Sequence, residues 1–270
     1  MGWDKAENRI VDPADSIDET PNIKESTAKQ KFEFKEATAS DKIVITIFGE
    51  KGSGKTMTAF GLSGNKSVLC FDEKAQMLQK HFFKDDKSLK VYDAIEFFTK
   101  DPDHYLDSSQ MTYEYILFLL DNINKEKPDW VMIDGLEILT NICEMVMRRN
   151  HGLKPYQGIA NMSIWRERRQ LLDSIHKKAL NCAKKGLIYT TYCDDEKIIE
   201  EGAIIVSRKI PKWTDSVLYV TDITLHVENH IDKAGQKITV KVNNSKIPSF
   251  LKTGQIIDLT NKKLREFIKS

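Results

Sequence analysis

The chain has 270 residues, of which 40% are hydrophobic and 30% charged, with a formal net charge of +1. That balance suits one large α/β domain, or a medium domain with an appendage, and supplies enough apolar material for a sizeable core. Near-neutrality excludes attraction of nucleic acid by bulk charge, so any such contact needs a local patch.

No apolar run approaches the roughly 18 to 20 residues that cross a bilayer, so no membrane partner is expected. Met1-Gly2-Trp3-Asp4 lacks the basic-then-apolar layout of a secretory signal, and a cytoplasmic protein is expected. The four cysteines, Cys70, Cys143, Cys182 and Cys193, form no C-x-x-C pair. Three lie in apolar surroundings, which fits buried thiols in a reducing compartment and argues against a cysteine-held metal.

Residues 1–40 are polar, charged and interrupted by Pro13 and Pro21. They lack the apolar surface to offset their ordering entropy, and read as a flexible or adherent tail to a domain spanning 41–270. Ile43-Val44-Ile45-Thr46-Ile47-Phe48 is a β-branched run suited to a strand buried on both faces of a parallel sheet. A glycine-rich loop and a short helix over 55–62 follow. Further strands are predicted at 67–71 and 90–92, then a helix over 113–124, then a buried strand over 130–134.

A long amphipathic helix is predicted over 163–185, with Ser163 as N-cap and Gly186 as its stop. Residues 187–191 form another core strand. From 217 to 242 the pattern is strand, turn, strand, with the turn at Lys233-Ala234-Gly235-Gln236. A last helix starts near Thr260. Alternating strands and helices with a late hairpin imply an α/β fold. Its sheet is mainly parallel and doubly wound, with an antiparallel β-hairpin toward the C-terminus.

Gly49-Glu50-Lys51-Gly52-Ser53-Gly54-Lys55-Thr56 fits the phosphate-loop pattern G-x-x-x-x-G-K-[ST] at every fixed position. Glycines let the backbone curl so that its N–H groups converge on phosphate oxygens without Cβ clashes. Lys55 can reach the β- and γ-phosphates, and the Thr56 hydroxyl can ligate Mg²⁺. The motif predicts a nucleoside triphosphate, ATP, bound with Mg²⁺. Val131-Met132-Ile133-Asp134 is a buried strand ending in an acid, the Walker B pattern, and makes Asp134 the second metal candidate. Gly135 follows it, where many phosphate-loop ATPases place a glutamate. The carboxylate that positions water must then come from elsewhere. Glu73, at the end of the second strand, is the first candidate and Glu137 a distant second.

This layout resembles the RecA-like ATPase family, in particular the small RadA-like recombinase paralogues of phages and archaea, over roughly residues 41–260. The resemblance implies a RecA-like phosphate-loop domain in which Glu73 activates water. Here Asp72-Glu73-Lys74 stands where the family usually has an acid, a spacer and then Glu. It further implies that Thr190, at the end of a core strand, is a polar sensor of the nucleotide. The stretch Val240 to Pro248 resembles the family's lysine-bearing hairpin, whose lysines reach a neighbouring subunit's γ-phosphate. Only Lys246 keeps a matching position, with Asn244 where a second lysine is often found. A trans-acting Lys246 requires a head-to-tail homo-oligomer, ring or filament.

Arg148, Arg149, Lys154, Tyr156 and Arg166 crowd the region after the Walker B strand, where the family holds a DNA-contacting loop. There the arginines would neutralise phosphates and Tyr156 would stack on a base of single-stranded DNA. The loop over 148–161, with Gly152, Pro155 and Gly158, reads as exposed. The leading expectation is an oligomeric ATPase acting on DNA in recombination, annealing or repair. The alternatives are a small-molecule or nucleotide kinase, with Arg166, Arg168 and Arg169 as a lid, and a non-catalytic nucleotide-binding module.

Overall fold

A computed structural model describes residues 41–72, 74–200, 203–212, 215–232, 235–260 and 262–268. The expected tail, Glu73 and the Lys233-Ala234 step of the turn lie outside them. In chain order the elements are β1 (Ile43–Gly49), α1 (Lys55–Phe60), β2 (Lys66–Cys70), α2 (Lys74–Phe82), β3 (Leu89–Asp93), α3 (Tyr105–Glu126), β4 (Trp130–Asp134) and α4 (Leu136–Asn150). They continue as α5 (Trp165–Cys182), β5 (Gly186–Glu200), β6 (Ala203–Pro211), α6 (Asp215–Val220), β7 (Ile223–Asp232), β8 (Gly235–Ser245) and β9 (Ile256–Asp258).

The strands lie in the order β3-β2-β4-β5-β1-β7-β8-β9, with β6 paired to β5 off that path. Every pairing from β3 across to β7 is parallel, whereas β7–β8, β8–β9 and β5–β6 are antiparallel. The sheet is therefore the mainly parallel one expected, with antiparallel strands toward the C-terminus. β2 and β4 are buried along their whole length, because helices cover both faces of the parallel region.

Successive side chains of the central strands go to opposite sides. Val44, Leu69, Val131 and Ile133 pack with α3, α4 and α5. Ile45, Val68, Trp130 and Met132 pack with α1, β7, β8 and the C-terminal segment. Each such aliphatic side chain contributes about 1.5–3 kcal/mol on burial, and the two layers together clamp the strand ends that carry the site.

Several boundaries differ from the sequence reading. Helix α3 begins eight residues before the expected 113, because its first turns hide hydroxyls among apolar side chains. Ser109 and Thr112 each donate to the carbonyl four residues back, at 2.7 Å from Tyr105 O and Ser108 O, so polar residues occupy the buried face. Asn161, not Ser163, caps the turn that leads into α5, accepting from the Ser163 N–H. α5 stops at Cys182, and Gly186 is the first residue of β5 and no helix stop. β5 then runs beyond the sheet to Glu200 and turns back as β6, a ribbon the sequence reading missed. Residues 217–220, where a strand was expected, belong to helix α6, and the final helix is a single 3₁₀ turn, Leu264–Glu266. Among the described residues no helix is long and apolar enough to cross a membrane.

Gly186 shows how tightly β1 and β5 are fitted. A Cβ there would lie 1.8 Å from Ile43 O, and its φ is +152°. Gly186→Ala should therefore cost about 3 kcal/mol or more, as overpacking against backbone does. Gly158→Ala, where a Cβ meets nothing within 4 Å, should stay within about 0.5 kcal/mol of wild type. Denaturant unfolding of the two variants checks the contrast.

Candidate functional site

The loop between β1 and α1 is shaped by three glycines. At Gly49 a Cβ would stand 2.3 Å from Val227 O and 2.6 Å from Ser53 Oγ, so only glycine lets β7 lie this close. Gly52 and Gly54 take φ of +81° and +97°, a region that costs any residue with a Cβ. The loop closes on itself through Ser53 N–H to Glu50 O at 3.1 Å, and α1 begins directly at Lys55.

Lys55 and Thr56 start α1 but point to different partners. Lys55 Nζ donates to Gly49 O at 3.0 Å and to Glu50 O at 2.9 Å, and lies 4.5 Å above the Tyr192 ring. Burial pulls its ammonium pKa below the usual lysine range, opposed by the Glu137 and Asp134 carboxylates. The Thr56 hydroxyl donates to the Asp134 carboxylate, at 3.0 and 3.2 Å from its two oxygens.

Asp134 ends β4 and is only 2% exposed. Thr190 of β5 donates to Asp134 Oδ1 at 2.5 Å and accepts from the Gly135 N–H at 3.0 Å. The register Asp134↔Thr190 places this pair side by side. Burial pushes the Asp134 carboxyl up to about 6, against the pull of the Thr190 and Thr56 hydroxyls. Asp72, just past β2, joins the same corner. One ligand atom from each of Cys70, Asp72 and Asp134 lies within 4.8 Å of the others. Burial lifts the Cys70 thiol to about 11, and sulfur is a soft ligand that a hard cation does not favour. The oxygens of Thr56, Asp134 and Asp72 instead form the hard donor set that suits Mg²⁺.

These groups line one cavity of about 420 Å³, walled by the loop, Asp72, Asp134, Glu137, Thr190, Thr191 and Tyr192. Glu137 Oε1 accepts from the Thr191 hydroxyl at 2.7 Å and from the Tyr192 N–H. Of the residues singled out in the sequence, Lys51, Gly52, Gly54, Lys55, Thr56, Asp134, Glu137 and Thr190 share this cavity. Glu50 and Ser53 border a second hollow behind the loop, where Glu50 pairs with Lys209 at 2.9 Å.

The other candidates lie elsewhere. Lys246 follows β8, at the end of the strands opposite the loop. Its N–H donates to Asp222 O, and its ammonium lies 3.9 Å from Asp222 Oδ1. Asp222 N–H in turn bonds Val44 O, so Lys246 is level with the start of β1, about 17 Å along the strand from the loop at roughly 3.3 Å per residue. Arg148 is not in an exposed loop as expected. It belongs to the last turn of α4, is 8% exposed and pairs with Glu144 at 2.9 Å. Its guanidinium also donates to Gln157 O at 2.7 Å, holding the following loop. Arg149 pairs with Asp107 at 2.7 Å. Lys154, Tyr156 and Arg166 are exposed, Tyr156 by 73%.

Sequence reasoning overlooked Tyr192. It lies two residues after Thr190 on one strand, and side chains at i and i+2 share a face. That spacing was the available signal.

A model of the AAA domain matches residues 41–249. Comparison with curated proteins finds no match. Among solved structures, the crystal structure of KaiC-like protein PH0186 from the hyperthermophilic archaeon Pyrococcus horikoshii OT3 is similar, at 13% identity and a TM-score of 0.40. The match covers 76% of this chain and 79% of that one. A phosphate loop tied through Thr56 to the Asp134 carboxylate, within a domain match over most of the chain, places this protein in the AAA-domain family of P-loop ATPases.

Proposed function

We propose that this protein binds ATP with Mg²⁺ in the cavity between the 49–56 loop and Asp134, and hydrolyses it. The observation that carries this reading is the hydroxyl–carboxylate chain from Thr56 through Asp134 to Thr190. It brings two oxygen ligands for one cation beside a loop of phosphate-binding shape. Main-chain amides of the loop and the Lys55 ammonium hold the β- and γ-phosphates. Thr56 and Asp134 hold Mg²⁺, with Asp72 close enough to take part in its water shell. The bound cation neutralises charge on the phosphates. Thr190 couples Asp134 to β5, as suits a sensor. Glu73 remains the proposed water-positioning acid.

We further propose that the chain acts as a RecA-like, head-to-tail oligomer on single-stranded DNA, in the manner of the RadA-like paralogues. Two features support this. Lys246 is too far from its own loop to touch a bound triphosphate, so a catalytic role requires a second copy's site. Lys154, Tyr156 and Arg166 present two cations and an aromatic ring to solvent, the mixture that single strands bind. Arg148 is left out of that surface because its guanidinium is committed within the fold. A kinase is not favoured, since Arg166, Arg168 and Arg169 do not line the cavity.

A non-catalytic nucleotide-binding module is the second reading. Gly135 follows Asp134, and the Glu137 carboxylate is occupied by Thr191 and Tyr192.

MgATP at about a thousand times its dissociation constant should stabilise the fold by roughly 4 kcal/mol in thermal unfolding, and Lys55→Ala should remove most of that gain. No shift in wild type sinks the nucleotide reading. ATP turnover should fall at least tenfold in Glu73→Gln. Equal turnover removes Glu73 from catalysis, and none in wild type favours the binding module. Single-stranded DNA should bind at low salt, and Lys154→Ala and Arg166→Ala should each lower the salt slope by about 1. Binding that is absent, or insensitive to salt, ends the DNA proposal.

A further inference from the structure

The cavity at the phosphate loop has an apolar wall that neither phosphates nor a cation account for. Helix α2 turns one face toward it, with Lys74, Met77, Leu78 and Phe82 at i, i+3, i+4 and i+8. Met77 and Phe82 are 53% and 68% exposed, although side chains of this size gain from burial. Strand β8 supplies another side. Gln236 and Ile238 line the same cavity, because side chains at i and i+2 share a face of a strand. Lys237 between them pairs instead with Asp258, at 3.8 Å.

This wall is continuous with the loop. A Cβ at Gly54 would lie 3.6 Å from Ile238 Cδ1, so β8 reaches over the last glycine of the loop. Met57, the residue after Thr56 on α1, lines the cavity too. Met57 and Ile238 also wall a neighbouring hollow of about 300 Å³ that follows α1 as far as Gly61. The apolar surface therefore starts at the loop and runs along α1. Asp72, Asp134 and Thr190 are grouped instead at the ends of β2, β4 and β5.

A nucleoside triphosphate is a polar chain with a flat ring at one end. Once the loop holds the phosphates, the ribose tethers the base nearby. The base then brings apolar faces and a polar rim. Sites for small ligands combine apolar walls with a few polar groups, and thioether side chains adapt their shape to such rings.

We propose that Met57, Met77, Phe82 and Ile238 form the nucleobase subsite of this cavity, holding the base of the bound triphosphate by its apolar faces. The Gln236 amide, which can both donate and accept, serves its rim. The inference rests on the nucleotide reading of the same cavity.

Calorimetric titration of MgATP and of magnesium tripolyphosphate, which has phosphates but no base, separates this subsite from the loop. The double variant Met77→Ala/Phe82→Ala should weaken MgATP binding by about fivefold or more, the scale of one lost base–aromatic stack. Its affinity for tripolyphosphate should stay within about twofold of wild type. Met77→Leu keeps an apolar wall and should match wild type for both ligands. Unchanged MgATP affinity in the double variant overturns the inference; if light scattering also shows weaker assembly, the face belongs to a second copy of the chain. Equal losses for the two ligands overturn it as well, because the damage then lies in the loop. Thermal unfolding checks that each variant is folded. If the double variant is not, Phe82→Ala alone decides by the same two readings. Wild type that binds neither ligand overturns the nucleotide reading and this inference with it. Wild type that binds both, with no loss confined to MgATP in the variants, overturns this inference alone.

Discussion

One buried carboxylate organises the site. Asp134 is almost wholly enclosed, and enclosure alone would drive it toward its neutral form. Two hydroxyls from different elements, Thr56 of α1 and Thr190 of β5, donate to it and oppose that drift. Each also fixes its own element against β4. A buried charge so supported is costly unless every partner is present, which makes this three-residue chain sensitive to any change in the spacing of β1, β5 and β4. It is also the arrangement in which a divalent cation replaces hydrogen-bond donors with a stronger counter-charge.

The strand order makes this possible. β5 lies between β1, which carries the phosphate loop, and β4, which carries the acid. Residues at the end of β5 therefore face both. Thr190 bonds the acid, Thr191 and Tyr192 are held by Glu137 at the start of α4, and the Tyr192 ring lies beneath the loop lysine. Beyond Tyr192 the same strand leaves the sheet and pairs with β6, whose Lys209 pairs with Glu50 at 2.9 Å and Asp195 at 2.7 Å. The β5–β6 ribbon thus touches the phosphate loop from outside while its root touches the loop lysine from inside.

What the sequence revealed follows from how local the signals are. The strand before the loop, the loop itself and the strand ending at Asp134 are contiguous runs with strong type preferences, and they stand where expected. α3 was foreshortened because hydroxyls of Ser109 and Thr112 satisfy themselves on the preceding turn and pass as core residues. The β5–β6 ribbon escaped notice because its charged residues pair across the strands. Arg208 with Glu196 at 2.6 Å is one such pair, and this is a non-local match that no periodicity reports. Arg148 illustrates the opposite error. It sits in a basic cluster by sequence, yet Glu144 one helical turn earlier claims it, and burial then removes it from the surface. Composition suggests a patch, but only packing decides which members face solvent.

The central claim is that the 49–56 loop and Asp134 form one site for a triphosphate and its cation. Calorimetric titration of ATP into wild type and Asp134→Asn, each with Mg²⁺ and with chelator, tests it most directly. The account predicts one nucleotide site in wild type whose affinity rises at least tenfold with Mg²⁺, and loss of most of that gain in Asp134→Asn. An affinity indifferent to Mg²⁺, or a Mg²⁺ gain of equal size in both proteins, contradicts it.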